Sequence, residues 1–307
     1  MAFQLKATES VSDGITRNVR HQIEKARKQL RENSKPHRRG ASDNEAVHEV
    51  RKCFKRVRAA LRLVRDELGD DVYREENCCF RDAARPLTAV RDAEVLVESV
   101  DRLAQRAAEG VEPGAFAKIR ETLVRNQQAV TGRVLDKGNA FARVEEVAVR
   151  ALARLTGWRI ERTGWVALES GLRRVYRSGH RALAAASENP SVENLHEWRK
   201  QAMYLWHQLQ LLEGVGSGGE KELVGRIHQL STLLGEDHDL AVLRQTLGAD
   251  PFVYGGHRVL KGVLAAIDLW RKELEGQAFA LGREIYKDLP KVFTGRIEAW
   301  MNKPEAN

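Results

Sequence analysis

The sequence holds little cysteine, little proline and few aromatic residues, and no long apolar run. Its three cysteines are Cys53, Cys78 and Cys79. The number is odd and no C-x-x-C spacing occurs, which argues against a disulfide framework and against a zinc site. A reducing cytoplasm is the simple expectation, with Cys53 as small core filler. No apolar run approaches the roughly 18 residues that a membrane span needs. The opening stretch MAFQLKATES lacks a signal-peptide apolar segment. The protein is therefore expected in the cytoplasm and off the membrane. Only 7 prolines occur, and strand-like alternation is scarce. Aromatics make up 6% of the chain, which leaves few rings to stack on nucleic-acid bases.

What is present points to helices. Hydrophobic residues are 42% and charged residues 31% of 307, a soluble globular composition. Long runs rich in Ala, Leu, Arg and Glu argue for an all-α chain. The length suits one large or two ordinary domains. The formal net charge of +8 favours anionic partners, whether nucleic acid, acidic membranes or phosphate polymers.

The chain is organised around residues 47–64, VHEVRKCFKRVRAALRLV. At about 100° per residue, with His48 at zero, Arg51, Lys55, Arg58 and Arg62 fall between roughly 280° and 340°. Val50, Phe54, Val57, Leu61 and Val64 fall between roughly 160° and 240°. One face is apolar and the opposite face is a row of cations headed by a histidine. Glu49 is the only acid in the stretch. Like charges three and four apart repel by a few tenths of a kcal/mol per pair, so the row suits a polyanionic partner. The alternative is a solvated basic face.

The rest of the chain follows in order. A helix over residues 15–32 carries Arg20, His21, Arg27 and Lys28 on its polar face. A basic loop with Lys35, Arg38 and Arg39 precedes the organising helix. A third helix starts near Val72 and is kinked or divided at Pro86. A fourth fits residues 115–155, with a break near Gly132 or Gly138. A basic helix over residues 165–187 contains Arg173, Arg174, Arg177 and Arg181. Residues 195–212, 223–234 and 257–287 complete the helical pattern, the second of these followed by GEDHDLAVL.

The second half repeats marks of the first. His48-Glu49-x-Arg51-Lys52 returns as His196-Glu197-x-Arg199-Lys200, and Asp92-x-x-Val95-Leu96 returns as Asp239-x-x-Val242-Leu243. The expected architecture is one domain over residues 10–290, built of two four-helix bundles, residues 10–155 and 160–290. Residues 291–307 are expected to be a tail. Two such halves would pack about a pseudo-twofold axis and bring both H-x-x-R-K helices to one basic groove or channel. The second copy has drifted. Met203, Trp206 and Gln210 stand where the first has Lys55, Arg58 and Arg62, and Trp206 reads as packing.

These marks resemble the CHAD family, the conserved histidine α-helical domains. They are the stretches VHEVRKCFKRVRAALRL and LHEWRKQAMYLWHQLQL, the helix GLRRVYRSGHRAL and the segment LLGEDHDLAVL. The resemblance runs from about Ile15 to Tyr286. It implies two pseudo-symmetric four-helix bundles that bind inorganic polyphosphate along a basic surface or channel, without catalysis. It implies no cofactor and no metal. No E-x-E-x-K pattern occurs, so the stand-alone form is the one resembled. Carried over residue by residue, the implied site comprises His48, Arg51, Lys52, Lys55, Arg58, Arg62, His196, Arg199 and Lys200 on the H-x-x-R-K helices. The basic helices add Arg173, Arg174, Arg177 and Arg181, and Arg20, His21, Arg27 and Lys28.

The physics agrees with that ligand. Arginine forks and lysine point charges pair with phosphate oxygens, and a polyphosphate has no bases to read. Two other readings compete. A nucleic-acid-binding helical protein fits the charge, although no zinc-finger spacing or RNA-recognition signature is present. A metal-dependent phosphohydrolase is raised by His238-Asp239. Against it, Asp239 matches Asp92, which Arg91 precedes, so the aspartate reads as a cap or an inter-helix ion pair.

Overall fold

Helix starts are set by local chemistry. Ser10 Oγ accepts a hydrogen bond from the Asp13 backbone N–H at 3.0 Å, and α1 (Val11–Asn33) follows. Such a cap satisfies one of the orphan donors of the first turn. Ser191 does the same for Asn194 at 3.2 Å, and Pro290 opens the last helix where a missing N–H costs nothing. The computed structural model describes residues 2–34, 41–106, 110–215 and 221–302. The basic loop with Lys35, Arg38 and Arg39 lies outside the described residues.

After α1 come α2 (Ala41–Leu63), the short α3 (Arg65–Leu68), α4 (Asp70–Ala84), α5 (Thr88–Arg106), α6 (Ala115–Thr131) and α7 (Ala140–Arg154). The second half holds α8 (Glu169–Glu188), α9 (Val192–Leu212), α10 (Lys221–Ala249), α11 (His257–Ile285) and α12 (Pro290–Met301). No strand forms among the described residues. The chain is all-α, as its composition predicts.

The first half holds more helices than the four expected. Pro86 separates α4 from α5 through a 3-10 turn. A π-helical turn at Gly132–Lys137 and a left-handed Asn139 (φ 45°) separate α6 from α7. The second half departs the other way. GEDHD does not end a helix, and α10 runs unbroken through it. Leu230, Leu233, Leu234, Leu240 and Leu243 are all buried on α10, and burial on both sides of Gly235 outweighs its low helix propensity. The expected tail after residue 290 instead forms α12, which packs on α8 and buries Phe293, Ile297 and Trp300.

Packing closes two rings of helices. In the first half α1 meets α2, α2 meets α4, α4 meets α7 and α7 meets α1. In the second, α8, α9, α10 and α11 close the same way. The α5–α6 hairpin lies beside both, with α5 on α2 and α10 and α6 on α11. Helix α2 is the hub, touching α1, α4, α5, α8 and α9. Its predicted apolar face is buried as expected, with Val50, Phe54, Val57, Leu61 and Val64 at most 1% exposed. Each such side chain stabilises the fold by about 1.5–3 kcal/mol.

Candidate functional site

Four helices enclose a cleft of about 750 Å³: α2 and α5 on one side, α9 and α10 on the other. Seven cations line it, namely Arg51, Lys52, Lys55, Arg91, Arg102, Arg199 and Lys200. Only three acids do, Asp92, Glu236 and Asp239. Five of the nine histidines also line it, His48, His196, His207, His228 and His238. The lining therefore carries four more formal positive than negative charges before any histidine is protonated, and Lys52, Lys200 and Arg91 pair outside it with Glu49, Glu197 and both Glu94 and Glu98.

The helix break at Pro86 places Arg51. Its guanidinium donates to Thr88 Oγ1 at 2.6 Å and to the Ala84 carbonyl at 3.3 Å. Ala84 ends α4, so its carbonyl belongs to the orphan acceptors of a helix end. Three of the four helices around the cleft thus meet at one side chain's partners: Arg51 from α2, Thr88 from α5, and Asp92, also on α5, which faces both Arg51 and Arg199 from α9.

Lys55 is half-buried one helical turn further on. Desolvation pushes its ammonium down to about 8, and Arg199, Arg51 and Arg91 push the same way. No carboxylate stands within ion-pair distance of it among the described residues. Arg199 and Arg102 fare little better. Asp239 lies 4.0 Å from Arg199 and 3.7 Å from Arg102, with Glu236 at 3.8 Å from Arg102. These spacings are too long for direct hydrogen bonds; Arg102 Nη2 donates within its own helix to Ser99 Oγ at 3.3 Å, while the Arg199 guanidinium donors stay open to a ligand. Burial raises the Asp92 and Asp239 carboxyls even though cations surround them, which weakens the acids as counter-charges.

His48, His196 and His238 sit among these cations, and burial disfavours their charged forms. Burial lowers His48 and His196 below the usual imidazole range. His238 is pushed down to about 4 by burial and then by Arg199. The His196 and His238 rings stand 4.6 Å apart, and the Nδ1 atom of each is buried without a partner. An anionic ligand would raise the proton affinity of His48, His196 and His238 and recruit these three rings as donors.

The other end of the cleft is aromatic. Trp206 stacks on His207 at 4.4 Å and on His228 at 4.1 Å, with Met203 beside them in the lining.

Of the residues singled out from sequence, His48, Arg51, Lys52, Lys55, His196, Arg199 and Lys200 converge on this cleft. The remaining ten are elsewhere. Arg58 and Arg62 hydrogen-bond Asn77 Oδ1 at 3.1 and 2.8 Å, and Arg62 lies 3.9 Å over the Tyr204 ring. On α1, Arg20 and Lys28 are exposed and Arg27 pairs with Glu145 of α7 at 3.6 Å. His21 is half-buried there. On α8, Arg174 pairs with Asp66 at 2.6 Å, Arg173 with Glu169, and Arg177 and Arg181 are exposed. α1 and α8 pack outside the α2–α9 contact, so their basic residues either pair with other neighbours or face solvent.

Arg91, Arg102, His228 and His238 are cleft residues that the site reading did not include. One signal was available: Arg91 and His238 each stand immediately before the aspartate of the repeated D-x-x-V-L mark. Asp239 itself proves to be an inter-helix ion-pair partner, in mid-helix and not at a cap. Among the described residues no three His, Cys, Asp or Glu side chains converge in a group that could hold a metal ion.

The CHAD domain family model matches residues 21–248, a span that contains every residue lining the cleft. The chain belongs to the CHAD family. Two solved structures resemble this CHAD domain. One is the CHAD domain from the plant Ricinus communis, at 16% identity and TM-score 0.57, covering 100% of this chain and 96% of that one. The other is PptA from Streptomyces chartreusis, at 14% identity and TM-score 0.56, covering 91% and 98% respectively. At these identities the likeness is one of fold. No curated protein matches the sequence.

Proposed function

We propose that this CHAD domain binds inorganic polyphosphate in the cleft between α2, α5, α9 and α10, without chemically altering it. The carrying observation is the convergence in about 750 Å³ of seven cations with only three lining acids, two of which, Asp92 and Asp239, are weakened by burial. Lys52, Lys200 and Arg91 also pair with Glu49, Glu197 and Glu94 outside the lining, which leaves Arg51, Lys55, Arg102 and Arg199 as its least compensated charges. So many like charges destabilise an empty site. A chain of phosphates relieves that repulsion and satisfies open guanidinium donors bidentately. Size favours a thin polymer over a duplex. A cube of that volume is about 9 Å on edge, whereas the B-DNA major groove alone is about 12 Å wide.

The same reading includes the internal repeat. It is supported by the pairing of α2 with α9 and of α5 with α10 around one cleft, since these helices carry the repeated marks. It also places the protein in the cytoplasm, where granular polyphosphate would be its target. Among the described residues no helix is long and apolar enough to cross a membrane.

The test is competitive binding at two salt concentrations. Polyphosphate of several lengths competes with double- and single-stranded DNA of equal charge, on the native chain and on a triple Arg51→Gln, Lys55→Gln, Arg199→Gln variant. Tight, length-dependent polyphosphate binding that DNA does not displace is expected. The variant should lose at least about 100-fold, since hydrogen bonds to charged groups contribute about 1.5–3 kcal/mol each. DNA binding of equal strength, or unchanged affinity in a variant of native helix content, would overturn the proposal.

A further inference from the structure

The cleft is not uniform along its length. On α2 the lining is cationic through Arg51, Lys52 and Lys55. On α9 it opens with His196, Arg199 and Lys200 and then changes to Met203 and Trp206. A ligand made only of phosphates gains nothing from that second stretch, because an anion facing a thioether and an indole exchanges water for no donor beyond the indole N–H.

The aromatic end has a definite order. His207 is 2% exposed and is pushed down to about 3 by burial. Trp206 is half-buried and stacks upon it at 4.4 Å with 28° between planes. His228 stacks on Trp206 at 4.1 Å and 20° and is exposed. The three rings form a column that rises from the core to the cleft and ends in an accessible π-face. Among the described residues His228 is left exposed, and burying one more planar ring would extend the column.

We propose that the cleft also takes nucleoside polyphosphates, with the phosphates among Arg51, Lys55 and Arg199 and the base stacked at the Trp206–His228 end. This rests on the anion-binding reading of the same cleft and specifies a second ligand class for it. The Ser231 and Thr232 side chains stand in the lining next to His228. The Thr232 hydroxyl donates to the His228 carbonyl at 3.1 Å and keeps its lone pairs as acceptors, and the Ser231 hydroxyl supplies a donor and an acceptor for a ribose or a base edge. Stacking on aromatic rings tolerates any base, so the site discriminates base-bearing from base-free polyphosphates and discriminates little among bases.

The experiment is calorimetric titration of the full chain with ATP and with inorganic tripolyphosphate, in magnesium-free buffer at matched ionic strength. It is repeated on His228→Ala, which alters an exposed side chain, and on Trp206→Leu. ATP should bind at least about fivefold more tightly than tripolyphosphate, although it carries less charge, from the range that base stacking spans. Both variants should lose that advantage while holding tripolyphosphate within about twofold. Tripolyphosphate binding as tightly as ATP, or equal loss of both ligands in His228→Ala, would overturn the proposal. Long-chain polyphosphate is titrated in parallel. If it binds and ATP shows no advantage, only the stacking platform fails. If it does not bind, the anion-binding reading itself fails.

Discussion

Lys55 shows what it costs the fold to hold a cation in the cleft without a paired carboxylate. Its folded pKa of about 8 lies below the ordinary lysine value of 10.5. Below pH 8 both folded and unfolded chains hold the proton, and the folded state bears the full cost of a charge that burial and cationic neighbours disfavour. Between pH 8 and 10.5 the folded chain releases the proton while the unfolded chain keeps it. Stability contributed by this group therefore rises with pH across that window. The shift corresponds to about 3 kcal/mol as an upper figure, since solvent still reaches the side chain. Lys55→Met should raise the melting temperature of the ligand-free protein at pH 7 and remove the rise in stability between pH 8 and 10.5. It should also weaken polyphosphate binding. Thermal denaturation across pH checks this, and a melting temperature that falls at pH 7 would contradict it. The neighbouring histidines were legible in sequence only as repeated positions. Burial lowers the proton affinity of both His48 and His196, with Arg91 adding to it at His48 and Arg199 at His196, and sequence spacing does not report either effect.

Helices set the shape of the site through a few close approaches. Gly171 of α8 sits where a methyl group would overlap the backbone carbonyls of Arg62 and Leu63 at the end of α2. Gly282 of α11 likewise leaves room for the fully buried ring of Trp198 on α9. Gly171→Ala should destabilise the protein by about 2–3 kcal/mol, because rigid backbone cannot yield as a side-chain end would. Urea unfolding measures it, and a change under about 0.5 kcal/mol would show that α8 does not need this contact. Element boundaries were readable wherever their cause is local. Pro86 divides α4 from α5 by its own covalent geometry. The continuity of α10 through Gly235 was not readable, because it depends on leucines buried against α9 and α11.

For the whole molecule, cations divide into those the fold gathers and those it disperses. Arg177 and Arg181 are as basic in sequence as Arg51, yet they project from α8 into solvent. At physiological salt the Debye length is about 8 Å, so remote surface charges contribute little to a ligand held in the cleft. The dependence of log affinity on log salt should therefore lose about one unit of slope in Arg199→Gln. It should stay unchanged in the double variant Arg177→Gln, Arg181→Gln. Equal loss from both would mean that polyphosphate wraps the exterior and the cleft is not its principal seat.

Sequence by itself determined the all-α class, the apolar and cationic faces of α2, and the family. Each of these follows from periodicity and motif order, which the chain carries locally. Only tertiary structure decided which cations share a site. It joined Arg91 and Arg102 of α5 to Arg51 and Arg199, turned the basic residues of α1 and α8 away from the cleft, and stacked His207, Trp206 and His228 into a column. Those outcomes depend on which helices pack against α2 and α9, contacts between residues far apart in the chain that no local pattern encodes.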